Sequence, residues 1–171
     1  MGILICGLNG SGKSTVGKAL ARRIGYRFID NEDLFFQKND LSYEFDHPRS
    51  KAEVIHILND LISEDRSFVF CAVRGDYGDK FLSALDHIIY IYVPKEERNK
   101  RVFNRSFEKF GERMLEGGDL YERENSFIVL AQNRPDDYVE RWLETVNIPV
   151  IRIDGTRPVE ENVEYLALVL K

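Results

Sequence analysis

A short segment near the start of the chain constrains the fold more than any other feature. Residues 7–14 read Gly-Leu-Asn-Gly-Ser-Gly-Lys-Ser, which satisfies the pattern G-x-x-x-x-G-K-[ST], and Thr15 follows. The apolar run Ile3 to Cys6 precedes this segment. From Lys13 the apolar residues recur at helical spacing until Gly25. A strand, a glycine-rich turn and a helix in this order predict a phosphate-binding loop.

The residue types of the loop indicate what it binds. Glycine lets the backbone curl so that successive N–H groups point at phosphate oxygens, and the helix that follows adds the positive end of its dipole. Lys13 is a compact cation for the β- and γ-phosphates, and the hydroxyl of Ser14 can ligate Mg²⁺. We therefore expect the loop to bind Mg·ATP through consecutive residues: Asn9, Gly10, Ser11, Gly12, Lys13, Ser14 and Thr15.

The rest of the chain alternates between strand and helix patterns. Strands are predicted at 3–6, 26–29, 67–73, 88–93 and 148–153. Helices are predicted at 13–24, 51–62, 96–107 and 159–170, with one or two more in 121–144. This alternation predicts a three-layer α/β fold, in which helices flank a five-stranded parallel sheet and ligands bind at the carboxyl ends of the strands. The length of 171 residues predicts one domain, residues 1–171.

Composition and charge exclude several classes of partner. The net charge of −5 and the pI of about 5.3 disfavour nucleic acid and anionic membrane surfaces. No apolar stretch approaches the roughly 20 residues that a membrane span needs, and the opening residues lack a secretory pattern, so we expect a cytoplasmic protein. Cys6 and Cys71 lie in apolar runs without metal-like spacing, which predicts two buried core residues.

The position of an acidic residue distinguishes the classes of protein that contain such a phosphate-binding loop. We find neither the N-K-x-D guanine reader nor the D-x-x-G switch of GTPases. A motor or AAA-type ATPase should carry an acid at the end of a later strand, but the later apolar runs lead into Arg74 and Pro94. The acid instead is Asp30, after Phe28 and Ile29. A carboxylate beside the loop can bind Mg²⁺ or accept a proton from an attacking hydroxyl, although Asp30 could also be a helix N-cap.

With the loop segment GLNGSGKSTVGKALARRIG and the Phe28–Asp30 strand end, the sequence resembles the shikimate kinase and nucleoside-monophosphate kinase group of P-loop kinases. The resemblance implies a phosphotransferase that moves the γ-phosphate of ATP to a small-molecule acceptor, with Asp30 holding Mg²⁺. The family's second Asp, which grips acceptor hydroxyls, corresponds to Glu32. Where shikimate kinases carry a glycine triplet after the third strand, this chain has Ala72-Val73-Arg74-Gly75-Asp76, which argues against shikimate as the acceptor.

Two arginines are candidates for binding an anionic group of the acceptor. Arg74 follows the third strand, and its planar fork suits a carboxylate or phosphate. Arg49 lies roughly where the resembled family places another acceptor arginine. Each could instead be an ordinary surface arginine.

The resemblance also implies a lid, at about residues 105–125. Arg98, Arg101 and Arg105 recur along one helix face that leads into a segment rich in glycine and charge, 109–119, which predicts a mobile excursion. We expect Arg105 and Arg113 to close over the transferring phosphate, with Arg134 a weaker candidate. A solvated helix face is the alternative.

The segment after the fifth strand resembles the adenine-side loop of nucleoside-monophosphate kinases. Gly155, Thr156 and Arg157 would then contact the base, although an ordinary turn before Pro158 explains the same residues. The expected partners are ATP and a small molecule, with the protein a monomer or dimer. Two alternatives remain open: a nucleoside-monophosphate kinase, and a regulatory ATPase that has no small-molecule acceptor.

Overall fold

The computed structural model describes residues 1–36, 43, 45 and 47–170. Within these residues five strands form one sheet in the order β2-β3-β1-β4-β5, and every neighbouring pair is parallel. The strands are β1 Gly2–Cys6, β2 Arg27–Asp30, β3 Phe68–Cys71, β4 His87–Tyr92 and β5 Val150–Asp154. The predicted five-stranded parallel sheet is confirmed.

The helices connect these strands and cover the sheet. They are α1 Lys13–Ile24, α2 Asn31–Phe35, α3 Lys51–Glu64, α4 Asp79–Leu82, α5 Lys95–Phe110, α6 Tyr121–Asn133, α7 Tyr138–Leu143 and α8 Val159–Val169, with a 3₁₀ helix at Gly111–Met114. The predicted helices are present, with ends shifted by a few residues. The sequence patterns missed α2 and α4, which are too short to show a helical period.

Alternation along the strands divides the core between the two faces of the sheet. Leu4 and Cys6 of β1 belong to a cluster with α3, α4 and α7, whereas Ile3 and Ile5 belong to a second cluster with α1 and α8. Every residue of β1 is buried because the strand has neighbours on both sides and helices on both faces. A strand held in this way gives the loop that follows it a rigid base.

A third and smaller cluster lies outside the sheet. It joins α5, the 3₁₀ helix and α6 through Val102, Met114, Ile128 and Ala131, with Phe110 and Phe127 packed against it. The predicted excursion, residues 109–119, therefore belongs to a small packed unit, because α5 extends to Phe110 and the 3₁₀ helix follows at once. We refer to α5, the 3₁₀ helix and α6 as the lid.

No helix in the described ranges is long and apolar enough to cross a membrane.

Candidate active site

The parallel sheet brings most of the predicted site residues to one edge. The phosphate loop follows β1, Asp30 ends β2, Arg74 follows β3, and Gly155 follows β5. The register pairs Asp30 with Cys71 and Tyr92 with Asp154, so these strands end nearly level. The carboxyl edge of a parallel sheet, where the strand order reverses beside β1, is the expected place for a ligand.

The start of α1 fits an anion. Its N-cap is Gly12 in the left-handed region (φ 88°), so no side chain caps the first N–H groups, and the first turn contains no acid. An uncapped helix N-terminus presents backbone donors and a positive dipole to whatever lies above it. Asn9, Gly10 and Ser11 form the turn that leads into this helix, and the loop therefore has the geometry that a phosphate group requires.

Lys13 lies in the first turn of α1 and is half-buried. Its Nζ donates a hydrogen bond to the carbonyl oxygen of Leu8 at 3.1 Å, so the cation is held by its own loop. Burial lowers the pKa of Lys13 to about 8; Arg105 adds to this lowering, while Asp30 opposes it. The Lys13 ammonium therefore lies in a site that also contains the charges of Asp30 and Arg105.

Asp30 has the N-cap role that the sequence left open, and its role towards Mg²⁺ stays a prediction. Its Oδ1 accepts a hydrogen bond from the backbone N–H of Glu32 at 3.0 Å, so it is the N-cap of α2. Its charge also acts on Lys13. Ser14 and Thr15 are exposed in the first turn of α1. Ser14 and Asp30 therefore fit as the protein ligands of a Mg²⁺ ion that takes its other ligands from phosphate and water.

The described residues contain no group of three or more His, Cys, Asp or Glu side chains that could hold a metal ion.

Arg134, a weaker sequence candidate, contacts the phosphate loop directly. Its Nη1 donates to the side-chain oxygen of Asn9 at 2.6 Å. Its guanidinium also lies 5.2 Å from the centre of the Tyr138 ring, and the guanidinium of Arg74 lies 4.0 Å from the same ring. Tyr138 therefore holds two arginines beside the loop. Arg74 in addition contacts Asp76 at 3.3 Å.

The three arginines along α5 have three different environments. Arg98 is buried, donates to the Val93 carbonyl at 3.0 Å and pairs with Asp136 at 2.6 Å, so it ties α5 to the segment between α6 and α7. Arg101 donates to the carbonyl oxygen of Gly155 at 3.0 Å. Arg105 is exposed and faces the lid cavity described below. Along one face of α5, Arg98 therefore makes structural contacts, Arg101 contacts the predicted base loop, and Arg105 faces the cavity.

The predicted base loop packs against the phosphate loop. A Cβ placed on Gly155 would meet the carbonyl oxygen of Ser11 at 2.8 Å, so this close approach requires glycine. The loop is fixed by Asp154, whose Oδ1 accepts hydrogen bonds from the N–H and the hydroxyl of Thr156. Thr156 and Arg157 are exposed beside it. Base binding by these residues stays a prediction.

Two predicted arginines contact other parts of the protein. Arg113 forms an ion pair with Asp119 at 2.6 Å within the lid. Arg49 donates to the carbonyl oxygen of Leu34 at 2.7 Å, which ties the start of α3 to α2. In the described conformation these contacts do not bring either arginine to the phosphate loop, and their roles in catalysis and acceptor binding stay predictions.

A cavity of about 600 Å³ lies between the lid and α2. Its lining includes Glu32, predicted to bind the acceptor, and Arg105. Most of the other surface is apolar and comes from aromatic side chains. We call it the aromatic cavity and define it by its described lining residues: Glu32, Phe36, Tyr43, Phe45, Arg105, Ser106, Lys109, Phe110, Glu122, Arg123, Glu124, Ser126 and Phe127.

Sequence reasoning missed Glu124, which is 1% exposed. The residue shares one face of α6 with the buried Ile128 and Ala131. An acid at a core-facing position of a helix is uncommon, because burying a charge without a partner is costly. That pattern was visible in the sequence and could have identified Glu124.

The two cysteines are free and buried, as predicted. Burial raises the pKa of Cys6 to about 12, and burial likewise raises that of Cys71, so neither thiol ionises near neutral pH.

Comparison with known proteins gives the family. The sequence profile of the family described as the AAA domain matches residues 3–117. An uncharacterized protein of Bacillus subtilis (strain 168), YqaC, is 25% identical over 170 residues, which cover 95% of this chain and 93% of YqaC.

Solved structures of small-molecule kinases share the fold. A gluconokinase from Sinorhizobium meliloti 1021 is 18% identical with a TM-score of 0.54, over 99% of this chain and 94% of its own. A shikimate kinase from Acinetobacter baumannii in complex with shikimate is 16% identical with a TM-score of 0.56, over 99% of this chain and 92% of its own. At these identities the likeness shows the fold.

One expectation is corrected by the family match. We took the missing acid after the later strands to exclude an AAA-type ATPase, but the matching profile is described as an AAA domain. β3 ends at Cys71 and β4 at Tyr92, so neither of these strands ends in an acid. The absence of that acid therefore does not exclude membership. The chain belongs to the AAA domain family and has the fold of the small-molecule P-loop kinases.

Proposed function

We propose that this protein is an ATP-dependent phosphotransferase that moves the γ-phosphate of Mg·ATP to a small-molecule acceptor. One observation supports it most: Arg105, whose charge acts on Lys13 as that of Asp30 does, also lines the aromatic cavity. A hydrolase needs room for water there, whereas about 600 Å³ is room for a second substrate.

The residues present account for the transfer step. The loop and the start of α1 bind the phosphates, and Lys13, Arg105 and Arg134 neutralise charge on the group in transfer. The acceptor's oxygen forms a bond to the γ-phosphorus as the bond from that phosphorus to the β–γ bridging oxygen breaks. ADP leaves with that electron pair, and the hydroxyl proton passes to the Asp30 carboxylate.

Mg²⁺, held by Ser14 and Asp30, would neutralise phosphate charge. The remaining catalytic effect comes from positioning, because the protein supplies no covalent intermediate.

The rival function is a regulatory ATPase that signals to a protein partner. The aromatic cavity disfavours it, since such a protein gains nothing from a second small-molecule site.

A coupled ADP-release assay with Mg·ATP tests the proposal across nucleoside monophosphates, nucleosides, shikimate, gluconate and other small hydroxylated metabolites. We expect one acceptor to raise ADP release well above background and to gain a phosphate. Tight ATP binding with slow release that no acceptor changes would favour the regulatory ATPase.

A further inference from the structure

The lining of the aromatic cavity is suited to a flat ring. Phe36 and Phe45 meet edge to face with centroids 5.1 Å apart, and Tyr43 lies 5.5 Å from Phe110. Phe127 faces the same space from α6. A hydroxyl placed against such faces without a partner loses its hydrogen bonds to water, which is costly. A polyhydroxylated acid is therefore a poor occupant, and an aromatic ring is a good one.

The cations of the cavity are arranged over these rings. Lys109 Nζ lies 4.4 Å from the centre of the Phe45 ring, and Arg123 lies 5.2 Å from that of Tyr43. Arg105 lies 6.0 Å from the centre of Phe127, on the side of the phosphate loop. These cation–π contacts hold the aromatic walls in place.

Glu124 supplies a buried hydrogen-bond acceptor in the cavity. Its carboxylate is almost fully buried and accepts a hydrogen bond from the Tyr43 hydroxyl at 2.6 Å. An ionised carboxylate has two oxygens and accepts several hydrogen bonds but donates none. A ring that enters this cavity therefore binds best when its edge carries N–H donors.

The cavity also orients such a ligand towards the phosphate loop. Glu32 lines it and lies two residues after Asp30, and Arg105 lines it and acts on Lys13. A ligand whose ring lies near Glu124 thus extends towards the site of phosphate transfer.

We propose that the acceptor carries a flat nitrogen-bearing aromatic ring, as nucleosides do, and that Glu124 selects rings with amino or imino donors on their edge. The inference rests on the proposed function and names the substrate class of that site. It predicts that the oxygen that accepts the phosphate belongs to the part of the molecule that extends from the ring.

The test measures binding and transfer separately. Guanosine, adenosine and cytidine, which carry exocyclic amino groups, are compared with purine riboside, whose base edge carries no N–H donor, and with shikimate and gluconate. Binding to the protein with Mg·ADP is followed by calorimetry, and transfer from Mg·ATP by ADP release and product mass. We expect at least one amino-bearing nucleoside to bind roughly tenfold or more tightly than purine riboside, because a polar site rejects an edge that cannot pair with it.

Variants assign the effect to the cavity. Glu124→Gln preserves the size of the side chain and an oxygen for Tyr43 but adds a donor, so the preference over purine riboside should fall roughly tenfold. Phe127→Leu should weaken every nucleoside roughly tenfold by removing a stacking surface. Glu116→Gln, at an exposed residue outside the cavity, is the matched control. All three should keep the ATP affinity of the wild type.

The outcomes separate this inference from the proposed function. Transfer to shikimate or gluconate while no nucleoside binds would overturn the inference and leave the kinase proposal standing. Binding of amino-bearing nucleosides without transfer to any compound would support ring recognition and contradict the kinase proposal. Equal binding of purine riboside, or an unchanged preference in Glu124→Gln, would overturn the role of Glu124.

Discussion

The phosphate loop and the aromatic cavity lie side by side but are built differently. The loop extends from a strand buried on both faces and leads into a helix packed on the central sheet. The cavity is bounded by the lid, whose own cluster of buried residues is Val102, Met114, Ile128 and Ala131. The phosphate loop is thus supported by the core of the central sheet, and the aromatic cavity is supported by the small core of the lid.

This difference assigns separate tasks to the two regions. Phosphate binding uses backbone N–H groups and a compact cation, which require a rigid turn. In the proposed function, acceptor binding would use aromatic side chains of the cavity and the buried carboxylate of Glu124, which belongs to the lid with its small core. Substitutions in the phosphate loop should therefore abolish phosphate transfer, whereas substitutions in the lid and around the aromatic cavity should reduce it by smaller factors.

The largest effect is expected for Lys13→Ala. Removing the cation at the γ-phosphate should lower kcat by on the order of a thousandfold, since one lost charge-stabilising group costs about that much. The free energy of unfolding should not fall, because burial lowers the pKa of Lys13, and its charged form therefore opposes folding at neutral pH. Steady-state kinetics and urea unfolding measure the two quantities. Normal turnover would contradict the phosphate-loop assignment.

Two lid arginines provide a matched pair. Arg105 lies near Lys13, so Arg105→Ala should lower kcat roughly a hundredfold. Arg113 is paired with Asp119 within the lid, and Arg113→Ala should have a smaller effect if that pair persists during turnover. Equal losses in both variants would show that the lid rearranges and brings Arg113 to the phosphate.

Arg74→Ala tests the boundary between the two regions. Because Arg74 lies on Tyr138 beside the loop, its loss should raise the acceptor KM or lower kcat roughly tenfold, with little change in ATP affinity. Arg141→Ala, which removes an exposed arginine from the same helix as Tyr138, is a suitable control. Acceptor kinetics identical to the wild type would remove Arg74 from the site.

The smallest effect is a pH dependence specific to the loop. The pKa of Lys13 is lowered to about 8 by burial, so the free protein loses this proton as pH rises through that value. ATP binds the charged form, hence its affinity should fall severalfold per pH unit above 8, with proton uptake on binding. Calorimetry in buffers of different ionisation enthalpy measures this uptake, which Lys13→Ala should abolish. An affinity that is flat from pH 7 to about pH 9 would contradict the buried position of Lys13.

The loop region could be predicted from the sequence because its signals are local. Glycines, Lys13 and the strand before them stand within a few residues of one another, and Asp30 ends the next strand. The parallel sheet then determines that Asp30 lies beside the loop. The N-cap role of Asp30, an alternative in the sequence analysis, is present in the structure, and the charge of Asp30 acts on Lys13.

The cavity could not be predicted because its residues come from distant segments. Phe36, Tyr43 and Phe45 meet Phe110 and Phe127 only through the packing of the lid. The spacing of arginines on α5 predicted one shared face, yet Arg98 is buried in an ion pair while Arg105 faces the cavity. Periodicity gives the face of a helix, but tertiary packing decides what each residue on that face contacts.

Phosphorus NMR of a reaction with Mg·ATP and the acceptor panel tests the central claim most directly, because it follows the γ-phosphate itself. The account predicts that, for at least one ring-bearing acceptor, the γ-phosphate signal is replaced by that of a phosphorylated acceptor, and that Lys13→Ala abolishes this change. Release of the γ-phosphate as inorganic phosphate, at a rate that is the same with and without every acceptor, would contradict it.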